Sequence, residues 1–169
     1  MDFRHTGKQK FHTMKKILAL AFAAALLGFG CEKECGCVPP PQTNDFEYFI
    51  FGTAHGMCLG DCAKIFKLEG EKLFADDVVE HLTNENVTFQ TTSLTTDKAT
   101  LATVLRDQVP AELLSETKDR IGCPDCYDQG TIFIKIKTDG QERFWFIDPD
   151  NAQYAEFCKA VREAVENMQ

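Results

Sequence analysis

Ile132, Ile134 and Ile136 recur at every second position of Thr131-Ile-Phe-Ile-Lys-Ile-Lys137, and Glu142-Arg-Phe-Trp-Phe-Ile147 follows shortly after. A period of two is the signature of a strand. Asp139-Gly140, between the two runs, suits a two-residue turn whose central residues need positive φ. Such a turn sets Lys137 opposite Glu142, Ile134 opposite Trp145 and Ile132 opposite Ile147. Ile132, Ile134, Trp145 and Ile147 then share one apolar face. Further on the period changes: Tyr154, Phe157, Cys158, Val161, Val165 and Met168 stand three or four apart, or side by side, on one stripe of a helix. Asp148 is expected to cap that helix, with Pro149 in its first turn, and the stripe to pack on the sheet.

Upstream, Phe46-Glu-Tyr-Phe-Ile-Phe51 is rich in aromatics and reads as a strand. Gly52 to Cys62 reads as a glycine-rich loop. Ala63–Leu68 and Lys72–Phe74, joined by Glu69-Gly70, read as a hairpin, and Val87–Thr91 as a further short strand. Asp97–Asp107 carries Leu101, Val104 and Leu105 at helical spacing. Pro110 can open a second, shorter helix with Leu113 and Leu114 turned inward. The pattern predicts one α+β domain over residues 46–169: a mainly antiparallel sheet with the C-terminal amphipathic helix packed on it.

The first thirty residues have a different texture. Met14-Lys15-Lys16 is basic, Ile17 to Leu27 is unbroken apolar, and Gly28-Phe29-Gly30 leads to Cys31. A positive flank, a short apolar run and small residues describe a secretory signal, with Met14 as the expected true start. The run falls short of the roughly 20 apolar residues that span a bilayer. Gly30 followed by Cys31 resembles the lipobox of bacterial lipoproteins, although Gly28 stands where that pattern has leucine. The resemblance implies lipidation of Cys31 and tethering of the mature chain to a membrane. Ordinary signal-peptidase cleavage is the competing reading, since Gly28 and Gly30 also form a small-x-small site. Residues 31–45 then read as a stalk, stiffened by Pro39–Pro41 and reaching roughly 45 Å at about 3.1 Å per residue.

Charge narrows the partners. Of 18 basic and 26 acidic residues, five basic ones (Arg4, Lys8, Lys10, Lys15, Lys16) and one acidic one (Asp2) precede Cys31, so the remainder carries −12. That field repels phosphate backbones and argues against nucleic-acid binding. It also argues against adhesion to anionic lipid through a basic patch. The expected membrane link is the covalent one.

Cysteines fall at 31, 35, 37, 58, 62, 123, 126 and 158. An exported chain meets oxidising conditions, so disulfides are the default. Cys158 sits on the apolar helix stripe and reads as a core thiol. Three readings compete for Cys58-Leu-Gly-Asp-Cys62 and Cys123-Pro-Asp-Cys126. The first makes them structural staples, paired within each loop or crosswise between loops. The second makes Cys58, Cys62, Cys123 and Cys126 zinc ligands, with His55 in reserve. The third makes Cys123-Pro-Asp-Cys126 a redox pair. That chemistry wants a helix starting at the first cysteine to lower its pKa, and here a strand follows instead.

Of the other polar groups, His55 is expected in a loop. His81, after Asp76-Asp77-Val-Val-Glu80, is expected on a solvated face. Asp125, Tyr127 and Asp128 are candidates for a binding rim. No serine sits in a nucleophile elbow, no glycine pattern suits a phosphate, and no His-Glu-x-x-His is present. The sequence Gly-Met-Cys-Leu-Gly-Asp-Cys, then Ile-Gly-Cys-Pro-Asp-Cys, then Phe-Trp-Phe-Ile-Asp resembles small, uncharacterised lipoproteins of the Bacteroidota. That resemblance implies an outer-membrane setting and brings no activity with it. The expectation is a non-enzymatic, lipid-anchored envelope domain without a cofactor, binding a protein or small ligand. Thiol–disulfide exchange or zinc binding at the four loop cysteines is the alternative.

Overall fold

The computed structural model describes residues 44–78 and 81–169. The expected signal, Cys31 and all but the last two residues of the stalk lie outside that range. Among the described residues, six strands form one sheet in the order β3-β2-β1-β5-β6-β4. The strands are β1 (Tyr48–Ala54), β2 (Ala63–Glu69), β3 (Lys72–Ala75), β4 (Arg120–Ile121), β5 (Thr131–Thr138) and β6 (Gln141–Ile147). Neighbours run antiparallel except β4, which pairs parallel to β6. Three helices complete the fold: α1 (Thr96–Arg106), α2 (Ala111–Ser115) and α3 (Ala155–Met168). This is the α+β architecture expected, with one domain and α3 laid on the sheet.

The β5–β6 hairpin has the expected register, pairing Lys137 with Glu142, Ile134 with Trp145 and Ile132 with Ile147. Asp139 (φ 51°) and Gly140 (φ 75°) both take the left-handed conformation that such a turn demands. Period-two alternation then sends Phe49, Phe51, Ile132, Ile134, Ile136, Trp145 and Ile147 to the helical side of the sheet, where they form the main core. Full burial of each such side chain is worth about 1.5–3 kcal/mol. Phe157, Cys158, Val161, Val165 and Met168 of α3 close that core, at the predicted spacing. Lys98 of α1 donates from Nζ to the Met168 carbonyl at 2.6 Å. A cation thus meets the negative end of α3.

Three local expectations are corrected. α3 begins at Ala155 rather than just after Asp148. Two successive turns intervene, closed by Asn151 N–H to the Asp148 carbonyl and Tyr154 N–H to the Asn151 carbonyl, and the Asp148 side chain is used elsewhere. α1 buries Ala99, Ala102 and Leu105, while Leu101 and Val104 are exposed at 45% and 53%. Small residues let α1 approach α3 and β3, so the alanine stripe faces inward and the two larger residues face out. The strand expected over Val87–Thr91 shrinks to one bridge between Asp76 and Phe89. β4, two residues long, carries too little pattern to be read from the sequence.

The other side of the sheet carries a smaller core of Ile50, Ala54, Ala63, Ile65 and Phe133. Val78, Leu82, Val87 and Phe89, from the irregular connection between β3 and α1, pack against it. That connection brings His81 back towards the sheet end where the cysteine loops lie.

Candidate functional site: two stapled loops at one end of the sheet

β1 ends at Ala54, opposite both Ala63, where β2 starts, and Thr131, where β5 starts. The β1–β2 connection and the loop leading into β5 therefore emerge side by side. The first holds His55, Gly56, Met57, Cys58, Leu59 and Cys62. The second runs from Gly122 to Gly130.

Each loop is closed on itself. Cys58 pairs with Cys62 across 5.8 Å between Cα atoms, and Cys123 with Cys126 across 5.5 Å. The pairing is local rather than crossed. Among the described residues, Cys158 is the cysteine without a disulfide, fully buried on α3 as expected.

Two carboxylates hold the second loop in place. Asp125, at φ 60°, accepts the Gly130 N–H on Oδ1 at 3.1 Å and the Gly56 N–H of the neighbouring loop on Oδ2 at 2.6 Å. Asp148, at the exit of β6, accepts the Cys123 N–H at 3.1 Å and the Asp150 N–H at 3.0 Å. Burial pushes the Asp148 carboxyl up, but the N–H groups of Asp150 and Cys123 and the Gln129 amide outweigh it and hold the pKa below the usual carboxylate range. Gln129 completes the frame. It donates to the Cys123 carbonyl at 2.9 Å and accepts the Tyr127 N–H at 2.7 Å. The candidate rim residues Asp125, Tyr127 and Asp128 thus divide. Asp125 is structural, whereas Tyr127 stands out at 87% exposure.

The same frame speaks to redox chemistry. Cys123-Pro-Asp-Cys126 forms a turn followed by β5, and α2 precedes it, so no helix starts at Cys123. Its surroundings are carboxylates, which disfavour a thiolate.

The four-cysteine cluster with His55 in reserve does not assemble. The ligand atoms that converge are the sulfurs of Cys58 and Cys62 and a ring nitrogen of His81, all within 4.8 Å of one another. Cys123 and Cys126 do not join them, and His81 stands where His55 was expected. In the sequence His81 follows the acidic run Asp76-Asp77-Val-Val-Glu80, which reads as a solvated face, and 18 residues separate it from Cys62. Only the path of an irregular segment brings them together. His55 instead anchors the group through its backbone. Its N–H donates to the Cys62 carbonyl at 2.9 Å, and its carbonyl lies 3.4 Å from His81 Nδ1.

Between the loops lies a cleft of about 280 Å³, lined in part by His55, Leu82, Arg120, Pro124, Asp125 and Phe146. The Arg120 guanidinium stacks 5.3 Å from the centre of the Phe146 ring. A hollow of about 430 Å³ beside α3 is larger, but it contains neither cysteine nor histidine. On the two loops, Met57 is 80% and Leu59 103% exposed, as Tyr127 is at 87%. No helix of the described residues is long and apolar enough to cross a membrane. Compared with protein-family models, with curated proteins and with solved structures, the chain matches none of them.

Proposed function

We propose that the chain is an exported, lipid-anchored envelope protein whose domain docks a partner protein through the two stapled loops. One observation carries the docking reading. Of five large apolar side chains exposed among the described residues, three (Met57, Leu59 and Tyr127) sit on the disulfide-closed loops at one end of the sheet. Loops held rigid in advance lose little entropy on binding, and exposed apolar and aromatic side chains are what an interface core buries. The acidic surface left after Cys31 favours a partner with basic character around the contact. The signal-like segment before Cys31 and the proline stalk behind it support delivery to, and display from, a membrane.

The test is site-directed photocrosslinking in intact cells, with the photoreactive residue at Leu59, at Tyr127, or at Lys159 on the exposed side of α3. A discrete adduct from Leu59 and Tyr127 alone, lost when Met57 is changed to Ser, supports docking through this tip. Identical patterns from all three positions would overturn it. The anchor is tested separately: Cys31→Ser should move the protein from the membrane to the soluble fraction, and an unchanged membrane pool would refute it.

A further inference from the structure

We infer that Cys58, Cys62 and His81 form a redox-gated site for a thiophilic cation, zinc in the first instance, which opens when the Cys58–Cys62 disulfide is reduced. The inference does not rest on partner docking, although it concerns the same Cys58–Cys62 loop. Its basis is the convergence of two sulfurs and one imidazole nitrogen within 4.8 Å. Two thiolates and a histidine are a donor set zinc favours, and three protein ligands leave a fourth position open.

The geometry requires little movement. Around tetrahedral zinc, sulfurs at about 2.3 Å from the metal stand about 3.8 Å apart. The 5.8 Å separation of the Cys58 and Cys62 Cα atoms accommodates either the disulfide or that wider span by side-chain rotation. The loop therefore stays closed whether a covalent bond or a cation bridges the sulfurs. Cys62 is 3% exposed, with its carbonyl held by the His55 N–H, so one sulfur is fixed on the sheet side. His81 is exposed, and its Nδ1 lies 3.4 Å from the His55 carbonyl. With the proton on Nδ1, it donates to the His55 carbonyl and leaves the Nε2 lone pair for a cation. Metal-binding histidines use this arrangement, with the second nitrogen bonded to a carbonyl or carboxylate.

The redox step balances with a dithiol as reductant. One thiolate of the dithiol attacks a sulfur of the Cys58–Cys62 bond, and its second thiol resolves the mixed disulfide. The dithiol leaves as its cyclic disulfide, having passed two electrons and two protons to Cys58 and Cys62. Zinc then displaces both thiol protons to solvent and binds two thiolates and His81. Exchange with a second disulfide re-forms the Cys58–Cys62 bond: that disulfide takes up two electrons and two protons, leaves as a dithiol, and the metal is released with both thiolates gone. Among the described residues, the Cys123 and Cys126 sulfurs form no such convergence with a histidine, and that pair is not expected to bind.

The experiment is zinc titration of the full chain against a chromophoric chelator, with Cys31→Ser, Cys35→Ser and Cys37→Ser throughout to silence those thiols. Samples are either left oxidised or reduced with a phosphine, which does not compete as a dithiol ligand. The expected result is one equivalent of zinc in the reduced protein and none in the oxidised. His81→Ala, an exposed position that should not disturb folding, should weaken binding at least tenfold, as loss of a ligand or its support does. Cys123→Ser with Cys126→Ser should leave the equivalent in place. Cobalt in place of zinc should show thiolate-to-metal charge-transfer absorption that His81→Ala alters. No binding after reduction, binding indifferent to His81, or binding that needs Cys123 and Cys126 would each overturn the assignment.

Discussion

The Asp148 carboxylate accepts the backbone N–H of Cys123 at 3.1 Å, binding the residue just after β6 to the start of a loop 25 positions earlier. With the Asp150 N–H on its other oxygen, this residue terminates β6 and fixes the second cysteine loop together. A residue that looks like a helix cap in the sequence thus organises the end of the sheet where the cysteine loops lie.

Asp148→Asn removes the charge and points an amide NH2 at one of the two N–H donors, leaving that donor without its acceptor. At neutral pH the loss should be about 1–2 kcal/mol, the usual scale for hydrogen bonds to a half-buried charge. The Asp148 pKa is held below its unfolded value of about 3.9. Its stabilisation is therefore complete above that value and disappears as pH falls through the folded pKa. Urea denaturation of both proteins across the acid range should show the two curves merging as pH falls through the lowered folded-state pKa of Asp148. A constant gap at all pH values would place the effect in packing rather than charge.

Gly130 has φ 79°, and a Cβ there would lie 2.5 Å from His55 Cε1 and 3.1 Å from the Ala54 carbonyl oxygen. The left-handed conformation alone costs an alanine about 1–2 kcal/mol. Gly130→Ala should lose that much stability and also push the His55 ring from its place at the cleft. Thermal unfolding measures the first effect and the imidazole NMR signals of His55 the second. An unshifted His55 signal would mean that the ring does not rest on Gly130.

Legibility followed pattern strength. The β5–β6 register was readable because period-two alternation and a turn with a strict φ requirement agree on one pairing. α3 was readable because six apolar positions repeat with a helix's period. The spacing of Leu101, Val104 and Leu105 marks α1 as a helix but does not say which face is buried, because the close approach of neighbouring elements selects the small Ala99 and Ala102. Within the site, the four loop cysteines could be picked out, but whether they pair within or between loops depends on how far apart the loop ends stand, a tertiary quantity. His81 reaches Cys58 and Cys62 through a segment without periodicity, so nothing local announces it. The second core under the β3–α1 connection was hidden for the same reason.

Cys158 is fully buried, and burial pushes its thiol up to about 11. Thiolate is the reactive form, so at mild alkaline pH this cysteine should resist both disulfide exchange and alkylation. With Cys31, Cys35 and Cys37 replaced by Ser and the loop disulfides intact, no thiol should react with a chromogenic disulfide reagent in the folded protein. One thiol should react promptly after guanidinium is added. Reaction of one thiol before denaturation would show that α3 opens locally far more often than its packing suggests.

Lys135 is 8% exposed on the side of the sheet away from α3, and its Nζ lies 2.9 Å from Glu142 Oε2. The Tyr48 hydroxyl hydrogen-bonds to the same carboxylate, and with Lys135 this keeps the Glu142 pKa low. Desolvating a lysine offsets much of what an ion pair returns, and a well-packed apolar replacement is often neutral or better. Lys135 stands opposite Ile50 and Phe144 in the neighbouring strands, so a methionine has apolar company there. Lys135→Met should therefore leave stability within about 1 kcal/mol of the original or raise it. Glu142→Ala should destabilise by about 1–2 kcal/mol, because it leaves the buried ammonium without its partner, although the exposed position of Glu142 lets water compensate in part. Chemical denaturation of the two variants reads the asymmetry directly. If Lys135→Met proves the more damaging change, the ion pair itself, rather than the packing of its aliphatic stem, holds this side of the sheet.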